Sequence, residues 1–544
     1  MSKRSCAMAM DGPRATSGRW RRWPGEPHRV TGNETLSISA RRYVGALPPQ
    51  RFNMAAYALA RGADDKPAIR IFSGDSPDAP PETLTYGALR ARVRTLIAGL
   101  NTLDLPPFSV VAIRQKTGID YAASYLAVAG AGHVALAMSP MLTARETDTI
   151  SATANVRAFI RDEGLPLHDT HEVVASTTEL EARGAQSGPA DFADTAADDP
   201  AYLVFTSGTG AAPKGVLHAH RAAFGRQPMY ADWYGANEND VFFHTGAMNW
   251  TYSLGTGLVD PLVLGATATF VDKAPDASAW GDLLARSEAT VLATVPGLYR
   301  QMLRAGLKLG VNSALRHGLT AGEALRAGLH ADWQAATGRR LCEAFGMSEI
   351  STYLSTGPHL DWREGSPGRP QTGRAVAVLP VEGDSDAPVA RGETGVLCVH
   401  RSDPGMMLGY LGDSAELASW RGDWFLTGDL AVMDANGYIF PQGRADDVMN
   451  VMGYRVSPAE VEAQLLAIPG VLEVAVTAQE PREGVSIIVA YLVAAPQVRE
   501  AGAEPILKAA SERLARYKQP REVVFVEALP RTPNGKVQRS RLGA

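Results

Sequence analysis

An α/β fold built on parallel sheets covered by helices is what this sequence predicts, together with a β-rich subdomain and a small α+β unit at the C-terminal end. Three observations carry that expectation. Short apolar runs alternate with helical segments from about Phe52 to Phe345, the pattern of strands buried on both faces. From about Gly392 the texture changes to shorter β-type runs separated by turns, such as Gly395–His400 and Gly437–Phe440. Beyond Arg444 a helix, two strands, a helix and a strand follow in a stretch short enough to be one small unit. The 544 residues, 45% hydrophobic and 20% charged, allow a large core and more than one domain.

Taken in order, Asn53–Leu59 reads as a helix, Pro67–Ile71 and Ser109–Ile113 as strands, Asp120–Ala129 as a helix, and Val134–Ala137 and Val156–Ile160 as strands. Strands are expected near Ala266–Phe270, Thr290–Ala293 and Leu341–Phe345, with helices near Ala279–Ala285 and Leu298–Ala305. The C-terminal unit has a helix over Pro458–Leu466, strands over Val471–Val476 and Ile487–Leu492, a helix around Ile506–Leu514 and a strand over Val523–Val526. Ser457-Pro458-Ala459-Glu460 has the form of a capping box with proline at the first helical position. The domains expected are residues 49–444 and 445–544.

Residues 1–48 are expected to be a disordered or mis-annotated extension, with Met8, Met10 or Met54 as other starts. This stretch is rich in arginine, but Arg19-Trp20-Arg21-Arg22-Trp23-Pro24 leads into no apolar core, which argues against a secretory signal. A net charge of -5 gives no reason to expect nucleic acid. No apolar run reaches the roughly 18–20 residues of a membrane span. Cys6, Cys342 and Cys398 are far apart and odd in number, so neither a disulfide framework nor a zinc site is indicated, and a cytoplasmic setting fits best.

The chemistry centres on Tyr202–Val216, an apolar strand running into the turn Thr206-Ser207-Gly208-Thr209-Gly210-Ala211-Ala212-Pro213-Lys214-Gly215. Glycines let the backbone approach an anion, the hydroxyls add donors, and Lys214 adds charge, so the turn suits a polyphosphate. A solvent loop of similar composition is the other reading of these residues alone.

The segment resembles the phosphate loop of the adenylate-forming superfamily, which includes acyl-CoA synthetases, luciferases and peptide-synthetase adenylation domains. It departs from the pattern T-S-G-T-T-G-x-P-K-G at Gly210-Ala211, where one hydroxyl is lost. Further motifs similar to the family's follow in family order. The resemblance implies that Phe345 stacks on adenine in Glu343-Ala344-Phe345-Gly346-Met347-Ser348-Glu349, that Ser348 meets phosphate, and that Glu349 ligates Mg²⁺. It implies that Gly322, Glu323 and Ala324 run along the adenine, that Asp429 and Arg444 hold the ribose, and that Asp446 is a hinge. Gly453 and Arg455 fall in the segment that resembles the family's thioester-forming loop, and Lys536 in the one that resembles its catalytic-lysine segment. Thr206, Glu349 and Lys536 are thus the expected catalytic residues, with Ser207, Gly208, Thr209, Lys214, Glu343 and Gly346 among those for the nucleotide.

The interval from Trp250 to Pro261 resembles that of short- and medium-chain acyl-CoA and benzoate-CoA ligases. It makes His244, Trp250, Thr251 and Tyr252 the expected acid-binding residues. Rings there would shorten the pocket, and either a short aliphatic or an aryl acid would fit. The reaction implied joins a carboxylic acid to CoA at the expense of Mg-ATP, through an acyl-adenylate, with no nucleic-acid or membrane partner and a homodimer left open. Two other readings stand beside it: an adenylating enzyme that loads a carrier protein, and a nucleotide-binding regulator whose altered phosphate loop no longer turns over.

Overall fold

Apolar runs that read as doubly buried strands pair in parallel in two sheets. The computed structural model describes residues 35–167, 173–206, 214–310, 313–412, 420–445, 449–451, 454–482, 485–531 and 537–543. The centre of a nine-stranded sheet is parallel, in the spatial order Pro67–Phe72, Thr267–Val271, Val241–His244, Val291–Thr294, His317–Ala321 and Arg340–Met347. Every residue of Thr267–Val271 and of Val291–Thr294 is buried, which is why these strands carry no charged residue and nothing more polar than threonine. A seven-stranded sheet runs Val174–Ala175, Val156–Arg161, Val110–Arg114, Val134–Ala137 and Pro200–Thr206 in parallel, then adds Lys214–Ala219 and Gly409–Tyr410 antiparallel.

The helix Ile119–Gly130 buries every residue except Asp120. A helix apolar on all sides belongs inside a protein. It shares one core with Ile69 and Phe270 of the larger sheet and with Val111 and Ile113 of the smaller, so it lies between them. One consequence is functional, since this helix carries Tyr125 toward the cavity described below.

A third sheet is largely antiparallel and holds Val376–Leu379, Thr394–His400, Trp424–Met433 and Ile439–Arg444. Residues 35–43 lie along it, which corrects the expected boundary of the N-terminal extension over its described part. Leu36 bridges Ala390, Ile38 bridges Ala377, and Ser37, Ile38 and Tyr43 are buried. Ser39 Oγ donates to Arg374 O at 2.8 Å, and the Tyr43 amide donates to Ser402 Oγ at 2.8 Å. The basic composition of the neighbouring residues masked the short alternation Leu36-Ser37-Ile38 in the sequence. Residues 1–34 lie outside the described residues.

In the C-terminal part the strands Val471–Arg482, Val485–Ala494 and Glu522–Phe525 form a sheet, with the helices Pro458–Leu466 and Glu504–Arg513 sharing its core. The helix over Pro458–Leu466 starts as expected, but its capping box is absent. Ser457 makes no side-chain cap; its hydroxyl donates to the Gln442 carbonyl, and Glu460 takes Lys518 Nζ at 2.5 Å. Tertiary partners have claimed both side chains that would have closed the box. The hinge residue expected from the resemblance, Asp446, lies outside the described residues. Among the described residues, no helix is long and apolar enough to cross a membrane.

The third sheet is tied to the turn at Gly225 by a fully buried ion pair. Arg374 Nη1 meets Asp403 Oδ2 at 2.7 Å with neither side chain exposed, while Arg374 Nη2 donates to Gly225 O at 2.9 Å. Removing one member strands the other charge, at a cost of about 3–5 kcal/mol. Asp403→Ala is therefore expected to lower the apparent melting temperature by roughly 5–10 °C. A midpoint within a degree or so of the unaltered chain would show that the pair does not hold these layers together.

Candidate active site

The glycine-rich turn is presented by two strands that leave each other at its base, Pro200–Thr206 and Lys214–Ala219, with Thr206 opposite Lys214. Ser207, Gly208 and Thr209, with the departure at Gly210-Ala211, lie outside the described residues, as does the side chain of Thr206. Lys214 is described, and its ammonium sits 5.6 Å from the centre of the Tyr410 ring. That ring belongs to the edge strand paired to Val216 and Leu217. Its hydroxyl donates to Glu349 Oε1 at 2.6 Å, so Lys214, Tyr410 and Glu349 form one connected group beside the turn. The Glu349 backbone carbonyl also accepts the Met407 amide at 2.8 Å.

The segment Glu343–Glu349 leaves its strand by a sharp bend at Gly346. A Cβ there would stand 2.1 Å from Ser351 O, so only glycine fits. Gly346, Met347 and Ser348 border a cavity of about 280 Å³, which Gly322 and Glu323 also line. Gly322 has φ +91° and faces the Trp250 ring, and Glu323 lies 3.7 Å from Arg300. Ala324 is exposed and off the cavity wall. Phe345 is half-buried, edge-on to Tyr353 at 6.0 Å.

Asp429 and Arg444 are opposite each other across two paired strands, with Arg444 Nη1 3.5 Å from Asp429 Oδ1 and 3.0 Å from Thr427 O. They lie on the side of Tyr353 and Tyr410, whose hydroxyls feel the charges of Asp429 and Arg444 respectively. Gly453 and Lys536 lie outside the described residues, and of Arg455 only the backbone, paired with Asn450, is described.

Two expected site residues are placed elsewhere. Glu343 is buried in the strand Arg340–Met347, off the cavity wall, and accepts the Leu325 amide at 2.9 Å. Burial pushes its carboxyl up to about 7. His244 lies behind Tyr252, edge-on to it at 4.6 Å, and its Nδ1 accepts the Gly246 amide at 3.0 Å. Burial lowers its imidazole to about 3, so the ring is neutral and fills core rather than the cavity.

The other acid-binding candidates do line the cavity. Trp250, Thr251 and Tyr252 precede a π-helical segment, Ser253–Val259, that bends one wall around a buried guanidinium. A Cβ at Gly255 would meet Arg226 Nη2 at 2.4 Å, so glycine lets the backbone lie on that group. Arg226 pairs with Asp260, Nε–Oδ1 and Nη2–Oδ2 each at 2.7 Å, and donates to Ser351 Oγ. Tyr234 adds a hydroxyl to Asp260 Oδ2 at 2.7 Å. Ser351 has φ +74°, a strained conformation for serine at the cavity wall.

Sequence reasoning missed Arg226, Tyr125, Tyr202 and His218, all on the cavity wall. A signal existed for the first. Asp260 sits inside the apolar run Leu258–Leu264, and a carboxylate there needs a buried cation. His218 Nε2 bonds Ser348 O at 2.7 Å. A carbonyl only accepts, so Nε2 carries the hydrogen; burial lowers the ring to about 4 and keeps it neutral. The ring stacks on Tyr202 at 4.6 Å with 8° between planes.

Residues 57–411 match the family described as AMP-binding enzyme, and residues 460–536 match the AMP-binding enzyme C-terminal domain. The benzoate–CoA ligase of Thauera aromatica is 31% identical over 517 residues, covering 91% of this chain and 96% of that protein. Among solved structures, the anthranilate CoA ligase AuaEII in complex with anthranoyl-AMP superposes with a TM-score of 0.78 at 26% identity, covering 91% of this chain and 97% of its own. ATP-bound MatB from Rhodopseudomonas palustris superposes with a TM-score of 0.78 at 26% identity, covering 90% and 98%.

The placement of Glu343 sets a pH dependence. Its folded value of about 7 lies above the ordinary 4.5. Between those two values the unfolded chain releases the proton while the folded one keeps it, so stability falls as pH rises through that window and the full cost is present above about 7. Glu343→Gln keeps an acceptor for the Leu325 amide. It is expected to raise the apparent melting temperature at about pH 8 and to change it little at about pH 4.5. An equal shift at both pH values would show that the carboxyl titrates normally.

Proposed function

This chain belongs to the AMP-binding enzyme family and is an ATP-dependent, AMP-forming acyl-CoA ligase, and on that premise we propose that the acid it activates is an aryl carboxylate. The cavity carries the proposal. Its volume of about 280 Å³ and its Tyr125, Tyr202, Trp250 and Tyr252 rings suit one flat ring better than an alkyl chain. The resemblance to a benzoate–CoA ligase over nine-tenths of the chain supports the same choice, and supports CoA over a carrier protein as acceptor.

The reaction has two steps. A carboxylate oxygen attacks the α-phosphorus of ATP, and pyrophosphate leaves with the electrons of the broken P–O bond. The CoA thiolate then attacks the acyl carbonyl, and AMP leaves. In both steps anions meet, so the site must supply positive charge and donors. Lys214 and the amides of the glycine-rich turn take the phosphates, and Lys536 takes the charge that builds between carboxylate and α-phosphate. Glu349, one oxygen of which is fixed by Tyr410, offers the single hard carboxylate that suits a Mg²⁺ shared with phosphates. Such an ion, when bound, neutralises phosphate charge.

Phe345 gives adenine a flat face, Gly322, Glu323 and Ala324 border it, Ser348 meets phosphate, and the Asp429 carboxylate accepts the ribose hydroxyls beside Arg444. Gly453 and Arg455 serve the thioester step after the segment 445–544 pivots at Asp446. The buried free thiols of Cys342 and Cys398 fit a reducing, cytoplasmic setting.

CoA-dependent AMP release measured across aryl, short aliphatic and medium-chain acids tests the reading, and benzoate-type acids are expected to give the highest kcat/KM. A preference for aliphatic acids would overturn it. Lys536→Ala is expected to slow acid-dependent ATP–pyrophosphate exchange by roughly a thousandfold or more, about 4 kcal/mol, while thioester formation from supplied acyl-AMP persists. Near-normal exchange in that variant would remove Lys536 from the adenylation step.

A further inference from the structure

The cavity wall carries two phenols without a hydrogen-bond partner among the described residues. Tyr125, from the helix Ile119–Gly130, and Tyr202, from the strand Pro200–Thr206, both line it. Among the described residues neither hydroxyl has a hydrogen-bond partner. Their neighbours do: Tyr57 takes Gln227 Nε2 at 2.8 Å, and Tyr230 and Tyr234 both donate to Asp260. Tyr125 is buried and Tyr202 half-buried, and hydroxyls that line a cavity without a protein partner are free to bond a group that the cavity receives. Burial raises both phenols, Tyr202 to about 12, so both keep their protons and can donate as well as accept.

We propose that the aryl acid bears a hydrogen-bonding substituent on its ring, a hydroxyl or an amino group, received by the Tyr125 and Tyr202 hydroxyls. The inference rests on the aryl-acid ligase reading above and names the substrate class more closely. Charge excludes a second carboxylate on the ring. Arg226 is the lysine- or arginine-type cation among the lining residues, and both of its bonds to Asp260 are made inside the protein, so that wall is neutral. A second carboxylate would be buried without a counter-charge. A neutral hydroxyl or aryl amine meets no such cost.

Tyr202 is also held in advance. The His218 ring lies flat against it and is itself fixed by Nε2–H donating to Ser348 O. A hydroxyl held in one place loses little freedom when a ligand arrives, which favours discrimination between substituted and unsubstituted rings. The ring position is left to the two phenols, which approach from different elements; Tyr125 feels the charge of Tyr202, and both feel that of Arg226.

The test is kcat/KM for CoA-dependent AMP release with benzoate, its three monohydroxy and three monoamino derivatives, and phthalate, in the unaltered enzyme and in Tyr125→Phe and Tyr202→Phe. At least one hydroxy or amino acid is expected to exceed benzoate by roughly 10- to 100-fold, and that ratio to fall about tenfold or more in each variant. A ratio taken within one protein sample does not change when a variant merely folds less well. The hydroxy and amino arms separate the two sources of the shared chemistry. Benzoate or phthalate as the preferred acid, or ratios unchanged in both variants, would overturn the inference and leave the ligase reading standing. No turnover with any aryl acid would overturn both.

Discussion

Burying the Arg226 guanidinium is the constraint around which one wall of the cavity is built. A charged group at that depth is tolerated only when paired and hydrogen-bonded, and the pair must come from another element. Asp260 supplies the charge from the end of the π-helical segment, Ser351 an acceptor from beyond the Gly346 bend, and Tyr234 a further hydroxyl to Asp260. The glycine at position 255 is required because the backbone passes over the guanidinium. Three stretches of chain, around Tyr234, Gly255–Asp260 and Ser351, are thereby fixed about one side chain, and the wall they form is electrically neutral.

The segment Gly346–Glu349 joins this wall to the group formed by Lys214, Tyr410 and Glu349. Ser348 holds His218 by its carbonyl, and His218 holds Tyr202 by stacking. One residue further on, Glu349 takes the Tyr410 hydroxyl, whose ring is faced by Lys214. Adjacent residues thus brace the cavity and the group of Lys214 and Tyr410. A reaction that must bring a carboxylate against a phosphate gains from such a brace, because a small misplacement of either partner is costly.

Much of the fold was legible because its signals are local. A run such as Val291–Ala293 is apolar throughout since both faces of its strand are covered, and the helix Ile119–Gly130 is almost wholly apolar for the same reason. The capping box at Ser457 failed although its local signal was sound: Gln442 and Lys518, which lie outside the helix, compete for the same two side chains. Residues 35–43 were hidden by their arginine-rich surroundings and are ordered by a sheet edge more than 300 residues away, as in the bond from Ser39 to Arg374, 335 positions on.

The sequence by itself determined the family and the order of its motifs, because each motif is written in a contiguous stretch whose residue types and spacing can be read without the fold. Tertiary structure alone decided which of those residues reach the cavity. Glu343 and His244 belong to segments that look functional, yet strand alternation and the Tyr252 ring turn them into the core, where burial leaves Glu343 titrating near 7 and His244 near 3. Tyr125 sits in a segment with no motif and Tyr202 in the strand that leads into the glycine-rich turn, and the two were brought to one cavity by a helix buried between two sheets and by that strand. Convergence of that kind depends on the packing of distant elements, and no local pattern of residues encodes it.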